Sequence, residues 1–286
     1  MTVMSSAEQM SSAGHTSWSG RTRSPGRTVL LSGGDYEVAI SEDHHDVDAA
    51  QRLRYDVFTN EPGYSDAIGD VESGRDRDRF DDYCEHLLVH HRPTGALVGC
   101  ARVLPPPRAI AAGGWYSAGE FDLAQLDDIR GETVEMGRAV VDPGHRSGSV
   151  TAMLWAALLG YLEDGGYRYM MGCVSVPLDS PLGRGRELRG IRDLARDRYA
   201  AQWEVFPHIA VDVGGKTLDE LEPPATLRLP ALLRGYTRLG ARVCGEPAFD
   251  DVFDVGDFLT VLDRTQGEAR YVERLRGAMT RLKGTD

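Results

Sequence analysis

The stretch VEMGRAVVDPGHRSGS (134–149) sets one glutamate, Glu135, and one arginine, Arg138, in a run rich in β-branched residues. A tight turn of Pro, Gly, His, Arg and Ser follows at once, and then an apolar helix begins. A turn of small residues feeding a helix start presents backbone N–H groups at the positive end of the helix dipole, which makes a cradle for a phosphate. A carboxylate on the strand just before it can accept a proton. Cradle and base side by side are what a transferase needs when its acyl donor hangs on a phosphopantetheine arm. The same strand–turn–helix–strand unit also serves as plain scaffold, with Ser147 or Ser149 as an N-cap. On spacing alone both readings stand.

Three further groups of residues have chemistry to offer. Arg54 and Phe58 lie four apart, on one face of an amphipathic segment. Asp78, Asp81 and Asp82 precede a strand-like run. Arg102, Glu135 and Arg138 fall on two runs that would be close in a small mixed sheet. Charges buried in strands cost several kcal/mol unless paired, so these arginines require carboxylate partners. Such a set is either a structural ion-pair network or a pocket for a zwitterionic amino acid. In the second case aspartates take its ammonium groups and arginines its carboxylate. His86, just ahead of Leu87–Val89, reads as a structural histidine.

Other motifs fail on spacing. The glycines from Gly183 begin a GxGxx pattern, but Leu188 stands sixth and no convincing strand precedes them, which excludes a dinucleotide fold. No GxSxG elbow occurs. His44, His45 and Asp48 fall one residue short of HHxxxD and sit where a helix cap is needed.

These residues must be held by a scaffold, and 286 residues can bury a sizeable core as one large domain or two small ones. A net charge of −12 argues against a nucleic-acid binder. The four cysteines are scattered without a CxxC, each in or beside an apolar run, which suits free thiols in a reducing setting and no zinc site. The N-terminus lacks a signal-peptide core, and the longest near-apolar run, Met153–Leu162, is too short for a bilayer, so a soluble or membrane-surface protein is expected.

Residues 1–34, rich in Ser, Gly, Thr and Arg, are expected to be a mobile tail. Strand character appears at Tyr36–Ile40, Leu87–His91, Ala96–Leu104, 133–141, Trp203–Val213 and Phe258–Leu262. Helical spacing appears at 46–58, after the 142–149 turn, at 184–201 and at Pro230–Gly240. The adjacent second and third strands imply an antiparallel hairpin in a mixed sheet, so the expected class is α/β of the α+β kind.

The strings RYDVF (54–58), DRFDDYCEHLLV (78–89), GCARVLPP (99–106), EFDL (120–123) and VEMGRAVVDPGHR (134–146) occur in order. GYRYMMGCVS (166–175), PALLRGYTRLGARVCGEPAFD (230–250) and DFLTVLD (257–263) follow. Together they resemble the L-ornithine Nα-acyltransferases, bacterial enzymes of the GNAT acyltransferase superfamily related to acyl-homoserine-lactone synthases. The resemblance implies a GNAT-like, largely antiparallel central sheet flanked by helices, spanning 35–264 with an extended C-terminal half, then a helical tail at 265–286. It implies transfer of a long acyl chain from acyl carrier protein to the α-amino group of ornithine, giving lyso-ornithine lipid, with no tightly bound cofactor and no metal. Glu135 and Arg138 are then catalytic; Arg54, Phe58, Asp81 and Arg102 bind the acceptor; His145, Arg146, Gly148 and Ser149 hold the donor's phosphopantetheine. The superfamily loop reads Gln/Arg-x-x-Gly-x-Gly/Ala, whereas here Val150 takes the small sixth position. A bulky valine there would crowd a full pyrophosphate and favour a carrier-protein donor over acyl-CoA. The six arginines of 184–198, Arg189 and Arg192 among them, are expected to offer an acidic carrier protein a docking patch on an acidic enzyme. The expected location is the cytoplasm, at the inner face of the membrane with peripheral lipid contact. Two alternatives remain: a GNAT enzyme using a CoA thioester and another amine, or a non-catalytic acyl-carrier or lipid-binding module.

Overall fold

Runs of alternating or wholly apolar residues separated by Gly-rich turns build a meander through the first half of the chain and a second sheet section at its end. The structure, a computed structural model, describes residues 23–24, 26–64 and 68–266. Its strands are β1 (Arg23–Ser24), β2 (Arg27–Gly33), β3 (Tyr36–Ser41), β4 (Glu85–His91), β5 (Ala96–Leu104) and β6 (Phe121–Asp122). They continue with β7 (Thr133–Val141), β8 (Tyr169–Pro177), β9 (Ala200–Pro207), β10 (Arg242–Gly245), β11 (Ala248–Asp250) and β12 (Val255–Asp263). The helices are α1 (His44–Phe58), α2 (Pro106–Ala111), α3 (Ser149–Asp164), α4 (Arg186–Arg198) and α5 (Ala231–Leu239). The sheet order is β1-β2-β3-β4-β5-β7-β8-β12-β10-β9-β6, with β11 on β12. All neighbours are antiparallel except the pairs β7–β8 and β9–β10.

The two-residue period divides the core between the sheet's faces. Val134 and Met136 of β7, Met170, Val174 and Val176 of β8, and Phe258 and Leu262 of β12 pack with α3 on one face. Met171, Leu259 and Val261 pack on the other with Phe121, Leu123 and Trp115. Helix α3 is apolar almost all round because it is buried almost all round, from Val150 to Leu162. Each buried Leu or Met there contributes roughly 1.5–3 kcal/mol. The face opposite α3 is the one that carries Glu135.

Three expectations change. Residues 27–33, assigned to the tail, form β2, because Val29–Leu31 supply an apolar run that pairs along β3. The helix expected to 201 stops at Arg198, and the strand expected at 203–213 runs instead over Ala200–Pro207. Strands β10 and β11 were not foreseen. The expected tails at 1–22 and 267–286 lie outside the described residues.

Candidate active site

The site is opened by a break between two parallel strands. β7 and β8 pair only at Thr133–Tyr169, Val134–Met170 and Glu135–Met171. Beyond Glu135, β7 pairs only with β5, and beyond Met171, β8 pairs only with β12. Gly172 sits at the vertex: a Cβ there would lie 2.3 Å from the Met136 carbonyl oxygen, so no other residue fits this close approach. On its other side β7 carries a bulge. Gly137 pairs with Arg102 and Val140 with Cys100, leaving Arg138 and Ala139 opposite Ala101. Arg138 has φ 51°, a left-handed conformation that costs a non-glycine residue about 1–3 kcal/mol.

What holds Arg138 there is an ion network. Its Nε donates to Asp76 Oδ2 at 3.2 Å, and its NH2 group lies 3.4 Å from Asp78 Oδ2. Its guanidinium stands over the rings of Tyr116 and Phe253 at 5.0 and 5.2 Å. Arg102 donates to Asp78 at 2.6 Å and to Asp81 at 3.3 Å. Arg54, 1 % exposed, donates to Asp76 at 2.7 Å and forks onto both oxygens of Asp81 at 2.8 and 2.9 Å. Burial alone would raise the Asp81 pKa; Arg54 and Arg102 instead hold it well below the usual carboxylate range. His86 is buried and neutral, pushed down by burial, with Nε2 against the Asp81 carbonyl at 3.3 Å.

The network stands behind one wall of a cavity of about 110 Å³. Arg102, Glu135, Arg138 and Phe58 line that cavity, whereas Arg54 and Asp81 do not. The six residues expected to share a site are therefore brought together, but two of them brace the wall instead of facing its contents.

Glu135 is 4 % exposed. Its Oε1 accepts from Ser117 N–H at 2.8 Å and from Ser117 Oγ at 2.5 Å, and its Oε2 accepts from Tyr116 N–H at 2.7 Å. The carboxylate thus buckles the 116–117 turn onto β7, Oε2 accepts only one hydrogen bond, and the residue lines the cavity. Burial raises its pKa and these donors oppose the rise; burial wins.

The residues expected to hold the phosphate lie at the start of α3. Gly148 is the N-cap, at φ 102°, with no side-chain cap, so the first-turn N–H groups are left without an intrahelical partner. Ser149 is exposed. His145 Nδ1 contacts Tyr36 Oη at 2.9 Å, and Arg146 pairs with Glu61 at 2.6 Å. Val150 does not crowd this loop. Its side chain is fully buried and directed at Gly99 of β5, where an added Cβ would lie 2.7 Å from it. The expected discrimination against a pyrophosphate loses its basis.

Arg189 and Arg192, the two arginines expected to dock the carrier protein, are not free positive charges. Arg192 is 4 % exposed and donates to Asp193, Glu246 and Asp219 at 2.8, 2.9 and 2.6 Å. Arg189 donates to Asp193 at 2.5 Å and to the Leu218 carbonyl at 2.6 Å. Both arginines tie α4 to later segments, and their charge is already met.

The sequence reading missed Cys173, Asp250 and Asp257, which line the cavity, and Glu120 beside them. Cys173 Sγ lies 3.4 Å from both Ser117 Oγ and Glu120 Oε2. Burial, then Glu120, keeps its thiol protonated. Glu120, Asp250 and Asp257 bring carboxylate oxygens within 4.8 Å of one another. An aspartate inside the otherwise apolar run of β12 was the available signal.

A buried carboxylate at the vertex of two splayed parallel strands, beside an uncapped helix start, defines a GNAT acyltransferase. Residues 53–156 match the acetyltransferase (GNAT) domain family. An L-ornithine N(alpha)-acyltransferase of Brucella abortus (strain 2308) is 30 % identical over 261 residues, covering 87 % of this chain and 92 % of the relative. One from Rhizobium meliloti (strain 1021) is 30 % identical over 87 % of this chain and 86 % of the relative. Among solved structures, a CoA-dependent acyl-homoserine lactone synthase, BjaI, matches with a TM-score of 0.49 at 15 % identity over 83 % of each chain. The chain belongs to the L-ornithine N(alpha)-acyltransferase family. Among the described residues no helix is long and apolar enough to cross a membrane.

Proposed function

We propose that this chain moves a long acyl group from the thioester of acyl carrier protein to the α-amino group of L-ornithine, giving lyso-ornithine lipid. The observation that carries the reading is the buried Glu135 carboxylate at the vertex of the β7–β8 wedge. The relatives' name supplies the acceptor. The pantetheine arm lies in the wedge, where its amides meet backbone groups that β7 and β8 do not use on each other. Its phosphate meets the first-turn N–H groups of α3 at Gly148 and Ser149, with His145 beside them, and Arg146 exchanges Glu61 for it. The α-ammonium passes a proton to Glu135 Oε2, directly or through one water. A carboxylate whose pKa is raised by burial is better matched to that task near neutral pH. The amine attacks the thioester carbon, a β7 backbone N–H receives the developing oxyanion, and the C–S bond breaks as the attacking nitrogen's second proton passes to the sulfur, which leaves as the pantetheine thiol. Arg102 and Arg138 present positive charge to the acceptor's carboxylate, and Phe58 packs against its chain. Arg54 and Asp81 position Arg102. The protonated Cys173 thiol favours direct attack over an acyl-cysteine intermediate.

Acyl-CoA is a second reading of the donor, favoured by the burial of Val150 away from the loop. The test is to incubate purified protein with long-chain acyl carrier protein or acyl-CoA and each basic amino acid, and to detect products by mass spectrometry. N-acylornithine from the carrier protein is expected. Equal kcat/KM with acyl-CoA selects the second donor, and no product with any basic amino acid refutes the function.

A further inference from the structure

Glu120, Asp250 and Asp257 converge beside the cavity, which Asp250 and Asp257 line. Three chain segments bring them there: the turn after residues 116–119, strand β11 and strand β12. Asp257 pairs in register with Ser175 of β8, on the face that also carries Cys173. Part of the cluster has an ordinary structural use. Asp250 Oδ1 accepts from the N–H groups of Val252 and Phe253 at 2.8 and 3.1 Å, capping the β11–β12 turn. Asp257 is explained only in part, by hydrogen bonds with Ser175 and Glu120. It is 3 % exposed, it lines the cavity, and its Oδ1 is buried without a hydrogen-bond partner. A buried carboxylate oxygen left unpaired costs more than an orphaned neutral group, so in a residue that lines the cavity it invites a cationic donor from outside the chain.

We infer that the Glu120–Asp250–Asp257 cluster is the subsite for the distal ammonium of a basic amino-acid acceptor, and that it sets the preference for such acceptors over neutral ones. This rests on the function proposed above. An alkylammonium has three N–H donors, one for each carboxylate. Its methylene stem would lie against Phe58, Tyr64 and Phe253, whose rings pack together at 5.4–6.1 Å between centroids. The reach also fits. Glu135 Oε1 connects to Glu120 Oε2 through Ser117 Oγ and Cys173 Sγ by contacts of 2.5, 3.4 and 3.4 Å. Ornithine's two nitrogens, separated by five bonds, span about 6 Å when extended, inside what those contacts permit. The α-amine can then stand at Glu135 while the distal amine stands at the cluster. Burial, followed by the mutual repulsion of the acids, raises the pKa of Glu120. In Asp257 burial and the charge of Asp250 likewise outweigh the hydrogen bond from Ser175 and raise its pKa. A bound ammonium would oppose both rises.

The test compares kcat/KM for L-ornithine with that for L-norvaline, the same carbon chain without the distal amine, using acyl carrier protein as donor. Wild type, Asp257→Asn and Asp250→Asn are assayed, with a thermal melt to establish folding. Asparagine at 250 keeps the oxygen that caps the turn, so this second variant is conservative. A site built to bond a substrate's amine rejects an analogue without it, so wild type is expected to prefer ornithine by roughly a hundredfold or more. Each variant is expected to reduce that ratio by roughly thirtyfold, the loss of one buried charged partner. An unchanged ratio in both folded variants overturns the assignment. Loss of the wild-type ratio on adding EDTA also overturns it, in favour of a divalent ion at the cluster. If wild type acylates neither amino acid, the proposed function fails. Calorimetry then decides the subsite on its own: ornithine binding that both variants lose supports it, and absence of ornithine binding to wild type overturns it.

Discussion

Replacing Glu135 by glutamine exchanges two acceptor oxygens for one and puts an NH2 group where the other was. In the native site Ser117 N–H and Oγ need one of those oxygens and Tyr116 N–H needs the other. Whichever way the amide is turned, at least one backbone N–H of this buried turn faces another donor. An orphaned buried donor costs about 1–3 kcal/mol, and the lost bonds were to a charged acceptor, which puts the expected penalty near 2–3 kcal/mol. Relief of a buried charge offsets part of it. For a chain of this size that is a fall in Tm of roughly 3–8 °C, within reach of a still-folded protein at room temperature. The effect on turnover separates two roles. As the proton acceptor, Glu135 accounts for at least roughly 10²-fold in kcat, and the deficit should shrink as pH rises, because the amine then loses its proton without help. As a buckle alone, its loss would displace Tyr116 and Ser117 and produce a deficit that pH does not relieve. Circular dichroism melts and a kcat profile across neutral to alkaline pH measure both. A folded Glu135→Gln variant within tenfold of wild type removes Glu135 from the chemistry, and an unchanged Tm contradicts the turn-buckling geometry.

Asp81→Asn should destabilise by roughly 3–5 kcal/mol, because Arg54 and Arg102 lose a buried partner, and a denaturant titration that finds less than about 1 kcal/mol would refute the network's role. Asp81 is held below its unfolded value, so its contribution is present above the ordinary carboxylate pKa and is lost as pH falls through the folded one. Asp257 has the opposite sign. Its folded pKa is raised, so its contribution is present below the ordinary carboxylate range and is lost as pH rises through the folded value. Asp257→Asn should therefore melt above wild type at pH 8 and lose that advantage near pH 4; a variant that melts lower at pH 8 would show that the carboxylate is paired. Arg192→Ala should cost about 1–2 kcal/mol, the partners Asp219 and Glu246 being partly exposed, and leave the KM for acyl carrier protein unchanged. A selective rise in that KM would restore the docking patch.

Local pattern was enough for β7, the β4–β5 hairpin and α3, because each rests on a period of two or on a continuous apolar run. It was also enough to expect Arg102, Glu135 and Arg138 near one another with acidic partners, because charges inside apolar runs have to find each other. The bulge was not legible. Its left-handed residue is Arg138, while Gly137, the local candidate for such a conformation, sits beside it. Only the anchoring of the guanidinium by Asp76 and Asp78 and by the ring faces of Tyr116 and Phe253 makes that choice, and these partners come from three separate stretches of chain. The roles of Arg189 and Arg192 failed for the same reason: charge counted along α4 cannot reveal Asp219 and Glu246. The acidic cluster depends on the long-range pairing of β8 with β12, and β2 was hidden by the polar composition around it.

The site departs from the rules of a stable interior. Arg138 is held off its preferred backbone, Glu135 is buried as an acid, and Asp257 keeps an oxygen with no partner. Each feature raises the energy of the empty protein. In the proposed function the bulge and wedge would make room for the thioester arm, the buried acid would take a proton, and the unpaired oxygen would take a cation. The six-member network of Arg54, Arg102 and Arg138 with Asp76, Asp78 and Asp81 makes these departures tolerable, since its charges balance and its geometry fixes Arg138 against relaxing. Substitutions in the network should therefore lower stability and activity together. Neutralising Asp257 should move them in opposite directions, because it removes a cost to the empty fold and the contact that the acceptor's cation would complete.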